Sequence, residues 1–128
     1  MDNRKHARLP VHVSAKIILP NGKSFHGTTM DVSFGGTFIA FPAATSISMG
    51  AKCLLRFLVS ENGHPHEIRF ISQSIHSDTM GAGFQFKVIE AENYQSFMSL
   101  MRENCSSEAE LLDEVNRHPV LEIKSRSK

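Results

Sequence analysis

Residues 11–19, "VHVSAKIIL", place Val11, Val13, Ala15, Ile17 and Leu19 on alternate positions, the two-residue period of a half-buried β-strand. The Asn21-Gly22 pair that follows is a hairpin signal, and "SFHGTTM" from about Ser24 to Met30 is the returning strand. "TFIAF" makes a third strand, closed by Pro42. In "AKCLLRFLVS", Cys53, Leu55, Phe57 and Val59 point one way, and Asn62-Gly63 supplies a second turn. "HEIRFISQSI" returns, "HSDTMGAG" turns, and "FQFKVI" forms a last strand. About six short antiparallel strands predict a closed barrel, which leaves no exposed sheet edge.

The period then changes. In "EAENYQSFMSLMREN", Tyr94, Phe97, Met98 and Met101 fall at i, i+3, i+4 and i+7, the apolar face of a helix that covers the barrel. "SSEAELLDEVNRH" predicts a short second helix, with Ser107 and Glu110 at capping-box spacing and Leu111, Leu112 and Val115 as a narrow stripe. The domain plan is therefore an arm over 1–10, a barrel with its covering helix over 11–103, an acidic helix over 104–118, and a disordered tail over 119–128.

Composition changes this picture little. With 128 residues, 41% of them hydrophobic and 21% charged, the chain suits one soluble domain with a proper core. No run is long enough to span a membrane, the N-terminus lacks a signal-peptide stretch, and two unrelated cysteines suggest no disulfide framework. The expected compartment is the cytoplasm. Charge adds more. The net value of +1 hides a local 3 − 1 = +2 over residues 1–8 and 1 − 7 = −6 over residues 90–114. Cations that are local rather than broadly spread favour a small anionic ligand over DNA or RNA.

Candidate chemistry concentrates in two places. "RKHAR" holds Arg4 and Arg8, and "DVSFGG" holds Asp31, Ser33, Gly35 and Gly36 in a connection between strands. A guanidinium grips a phosphate, or the O6 and N7 edge of guanine. A carboxylate accepts from two parallel guanine N–H donors, a serine hydroxyl serves a base edge or a phosphate, and glycine N–H groups can face phosphate oxygens. The set suits a ligand that carries both guanine and phosphate. No triad, phosphate-cradling P-loop or metal-ligand cluster accompanies it, so an enzyme is not expected. His64 and His66 in "HPH" are expected to be a plain surface turn.

"RKHAR", followed after 22 intervening residues by "DVSFGG", resembles the two-part signature of the PilZ domain, Arg-x-x-x-Arg and Asp/Asn-x-Ser-x-x-Gly. The resemblance implies a six-stranded antiparallel β-barrel with a C-terminal helix that binds the bacterial second messenger cyclic di-GMP, with no cofactor. It implies that Arg4 and Arg8 contact phosphate and guanine edges, that Asp31 and Ser33 read a guanine, and that Gly36, with Gly35 beside it, lets the ligand approach the backbone. Ligand closure would order the arm and change what a separate effector protein meets. The alternative is an interaction adaptor of the same fold, with Tyr94 to Met101 or the acidic residues 108–114 as its contact.

Overall fold

Alternation along each strand is resolved into an inside and an outside by a single closed sheet. The computed structural model describes residues 9–41, 47–61, 63–105, 109 and 122–124. Its strands are β1 (Ser14–Ile18), β2 (Ser24–Val32), β3 (Gly36–Ala40), β4 (Lys52–Glu61), β5 (His64–Ser77) and β6 (Gly81–Glu90). Helix α1 (Ala91–Asn104) follows, and β7 (Glu122–Lys124) is a short last strand. The order β3-β2-β1-β4-β5-β6 is closed by antiparallel pairing of β3 with β6, the expected six-stranded barrel with a helix after it. Among the described residues no helix is long and apolar enough to cross a membrane.

The core is aromatic. Phe70 and Phe86 stack with ring centroids 4.0 Å apart and planes 9° from parallel. Phe97 of α1 stands edge-on to Phe70 at 5.0 Å and to Phe86 at 5.8 Å, so the helix closes the barrel through one ring. Each such side chain contributes about 1.5–3 kcal/mol by leaving water.

Several boundaries differ from the sequence reading, each for a local reason. The first turn is three residues, Pro20 to Gly22, and not the Asn-Gly pair alone. Leu19 N donates to Lys23 O at 2.8 Å, and Gly22 takes the left-handed conformation (φ 90°) that ends such a loop. "HPH" belongs to β5 and not to a turn: His64 pairs with Glu61, and His66 Nε2 lies 2.8 Å from Ser96 Oγ on α1. On α1, Phe97 and Met101 are fully buried, but Tyr94 and Met98 are half-buried, and the covered face turns toward Asn93, Ser96 and Leu100. Asn93 is tolerated there because its Oδ1 accepts from Arg69 N at 2.9 Å, where β6 has already given way to the helix.

Two domain boundaries also move. Leu9, assigned to the arm over 1–10, is part of the core at 5% exposure and is bridged to Val32. Residues 122–124, assigned to the disordered tail, form β7 in parallel pairing with Val88, Ile89 and Glu90. Backbone groups left open where β6 passes beyond β3 give β7 its partners. The acidic helix predicted within 104–118 lies outside the described residues, apart from Asn104, which ends α1, and Cys105 and Ala109.

Candidate nucleotide site

The connection between β2 and β3 is only Ser33, Phe34 and Gly35. Asp31 and Val32 are the last residues of β2, and Gly36 is the first of β3. Strict alternation from Thr29, which is fully buried, would turn Asp31 inward. A bulge between Thr29 and Asp31 prevents this. Thr29 pairs with Ile39, Asp31 pairs with Phe38, and Met30 is the extra residue. After the bulge Val32 is fully buried and Asp31 sits half-buried on the outer wall. The alternating register continues across the barrel, so that Asp31, Phe38, Gly83 and His76 form one transverse row over β2, β3, β6 and β5.

Ser33 is 5% exposed, and its hydroxyl organises the loop. Its Oγ accepts from Gly35 N at 3.1 Å and from Gly36 N at 3.2 Å, while its own N–H donates to Gly36 O at 2.8 Å. Both lone pairs of the hydroxyl are thereby engaged, and so are the two glycine N–H groups expected to face phosphate. Gly36 is required by packing: a Cβ there would overlap the carbonyl oxygen of Phe84 across the β3–β6 closure. Gly35 contributes its carbonyl, which accepts from Phe86 N at 2.8 Å. Phe34 points into the core and meets Phe97 edge-on at 5.2 Å. Sequence reading passed over Phe34; an aromatic in a loop otherwise made of small and polar residues was the available signal.

Arg4 and Arg8 lie outside the described residues. What the structure fixes is the point where the arm is rooted. Leu9 N donates to Val32 O and Val32 N donates to Leu9 O, both at 2.9 Å, so the residue following Arg8 is bonded to the residue between Asp31 and Ser33. Val11 and Val13 continue the attachment through Thr29, whose Oγ1 donates to Val11 O and accepts from Val13 N.

Comparison with known proteins agrees with this architecture. A family model described as the PilZ domain matches residues 2–103. No curated protein matches the sequence. Among solved structures, a PilZ domain of CeSA from a cellulose-synthesizing bacterium is similar, with TM-score 0.56 and 19% identity over 77% of this chain and 94% of that one. The Bacillus subtilis inhibitor of motility MotI/DgrA is similar too, with TM-score 0.64 and 15% identity over 80% of this chain. This chain spans about half of MotI/DgrA, 52%. At these identities the two structures share the fold.

Proposed function

Because the chain belongs to the PilZ domain family, whose members are generally cyclic di-GMP receptor or adaptor domains, we propose that it is a non-catalytic cytoplasmic receptor for cyclic di-GMP. The observation that carries this reading is the Leu9–Val32 bridge beside the bulged Asp31. It fixes Leu9, the residue that follows Arg8 in the sequence, at the strand end that carries Asp31, and a cation with a carboxylate are the two chemistries a guanine nucleotide needs.

In this mechanism Asp31 accepts the N1–H and N2–H of a guanine at the edge of the barrel wall. Arg8, one residue before the bridge, and Arg4 close from the arm on phosphate and on the guanine O6 and N7 edge. Ser33, Gly35 and Gly36 act by holding the loop shape that fixes Asp31. Closure of the arm on the dianionic ligand changes the surface around residues 1–10, which a separate effector protein reads.

The test is calorimetric titration of cyclic di-GMP into wild-type protein, Arg8→Ala and Asp31→Asn. Each charge-assisted contact contributes about 1.5–3 kcal/mol, so either variant should bind roughly one to two powers of ten more weakly. Folded protein that gives no heat at about tens of micromolar ligand would overturn the receptor reading.

An adaptor that binds nucleotide weakly or not at all is the second reading. It is favoured by one observation: Ser33 and Gly36 have complete structural reasons to be present, so the motif could persist without a ligand. Such a protein would bind its partner equally well after loss of Arg4 and Arg8.

A further inference from the structure

The outer wall away from Asp31 carries a second arrangement that the nucleotide reading does not use. His26 of β2 is registered with Lys16 of β1, Lys16 with Arg56 of β4, and Arg56 with Arg69 of β5. Four potential cations thus stand side by side across three strand spacings, roughly 14 Å. Like charges directly opposite one another destabilise a sheet, so this row costs stability when unoccupied. Arg69 is relieved at one end, its Nε lying 3.4 Å from Glu67 Oε1. No described residue forms an ion pair with Lys16 or Arg56. The Nε of Arg56 is buried without any hydrogen-bond partner.

The neighbouring outward row is apolar. Ile18, Leu54, Ile71 and Val88 are registered across β1, β4, β5 and β6. Leu54, Ile71 and Val88 line a hollow of about 160 Å³ with Arg56, Arg69 and Glu90 at its rim. Through Arg69 and Glu90 it adjoins a larger hollow of about 500 Å³ that reaches Leu58, Pro65 and Asn93. The result is a groove with an aliphatic floor, the cationic row along one side, and the carboxylates of Glu67 and Glu90 beyond Arg69.

We propose that this groove docks an acidic amphipathic segment of a partner protein, its carboxylates on Lys16, Arg56 and Arg69 and its aliphatic side chains over Leu54, Ile71 and Val88. Charge complementarity selects the carboxylates, and the apolar row selects a peptide over a nucleic acid, whose phosphates gain nothing from it. A bilayer would need apolar side chains that project together, whereas Leu54 and Val88 are half-buried and line a hollow. His26 lies five residues before Asp31 on β2, roughly 17 Å along the strand, so the groove is separate from the nucleotide site and stands whether or not that reading holds.

The test is fluorescence anisotropy of the full chain with a fluorescein-labelled synthetic peptide in which Glu and Leu alternate at helical spacing. A Gln-for-Glu version of the peptide is the control. Binding should weaken with added salt, and should fall about tenfold or more for the Gln peptide, for Arg56→Glu and for Lys16→Gln. Lys23→Glu, exposed just after the first turn, should leave binding within about twofold, and circular dichroism should report every variant folded. Absence of binding, or binding unaffected by Arg56→Glu and Lys16→Gln, overturns the proposal. So does stronger binding to phosphatidylglycerol vesicles or to a single-stranded oligonucleotide than to the peptide. The chain's own Glu108, Glu110, Asp113 and Glu114 offer the same chemistry. Binding that appears only when these four are changed to amides would give the groove to that segment and overturn the partner.

Discussion

Leu9 and Val32 exchange both of their backbone hydrogen bonds, at 2.9 Å each, although the chain between them runs through an entire hairpin. The pair is a one-rung ladder that ties the start of the barrel to the residue between Asp31 and Ser33. Leu9 also buries its side chain in the core. Leu9→Ala is expected to lower stability by about 2–5 kcal/mol in urea unfolding, the range for a buried leucine. It should also weaken cyclic di-GMP binding although Arg4, Arg8 and Asp31 are all intact. Unchanged affinity in folded Leu9→Ala protein would separate the root of the arm from ligand capture.

Loss of binding on mutating the signature does not identify a contact. Ser33→Ala removes the acceptor for two glycine N–H groups in a nearly enclosed loop, an expected cost of about 1–3 kcal/mol. Gly36→Ala should be worse, because the neighbour it strikes is backbone in β6 rather than a side chain that can turn aside. Both should lower the thermal midpoint without ligand, Gly36→Ala by more than Ser33→Ala. Differential scanning calorimetry of the two ligand-free variants checks this ordering.

Phe97 links the covering helix to the floor of the signature loop. It touches Phe34, Phe70 and Phe86, so Phe97→Ala leaves a cavity bounded by three rings. The expected destabilisation is about 3–5 kcal/mol in urea unfolding. Ring resonances of Phe34 should shift as strongly as those of Phe70. A Phe34 environment unmoved in Phe97→Ala would show that loop and helix pack independently.

Asp78 gives a pH dependence of known sign. Its Oδ1 accepts from Met80 N at 2.7 Å and from Gly81 N at 3.2 Å, and its Oδ2 lies 3.2 Å from His76 Nε2. The Met80 hydrogen bond foremost, with smaller contributions from His76 and Gly81, holds this exposed carboxyl below its ordinary value. A carboxyl lowered in the folded state stabilises the fold above its unfolded value, and that contribution is lost as pH falls through the folded value. The turn between β5 and β6 should therefore loosen only on the acid side of the usual carboxylate range. A carbon-detected NMR titration of Asp78 would check it; a midpoint at or above that of an unfolded aspartate would contradict the turn geometry.

Legibility in the sequence followed periodicity. Ala15, Ile17, Cys53, Leu55 and Phe57 could be assigned to the inside because alternation leaves little choice, and the glycines of the turns marked where it stopped. The closed barrel followed from that pattern, and the spacing of "RKHAR" and "DVSFGG" pointed to the family. The bulge at Met30 could not be read, since it depends on which β3 residue each β2 residue meets. The same holds for Asn93 and Ser96, polar residues on a covered face that are acceptable only because Arg69 and His66 lie opposite. A three-residue strand such as β7 has too little pattern of its own to announce a parallel partner.

Closure of β3 onto β6 has a kinetic consequence. Two of the barrel pairings join segments far apart in the chain: β1 with β4, where Ser14 meets Leu58, and β3 with β6, where Gly36 must find Gln85 and Ala40 must find Gly81. The entropy of joining such distant segments is lost before the pairing repays it, so a barrel wired this way folds slowly for its size. Until the seam closes, β3 and β6 are open edges able to recruit another chain. The glycines at 36 and 81 allow the two backbones to meet with no side chain between them. A substitution at either position prolongs the open state, so its first symptom during expression would be aggregation rather than loss of binding.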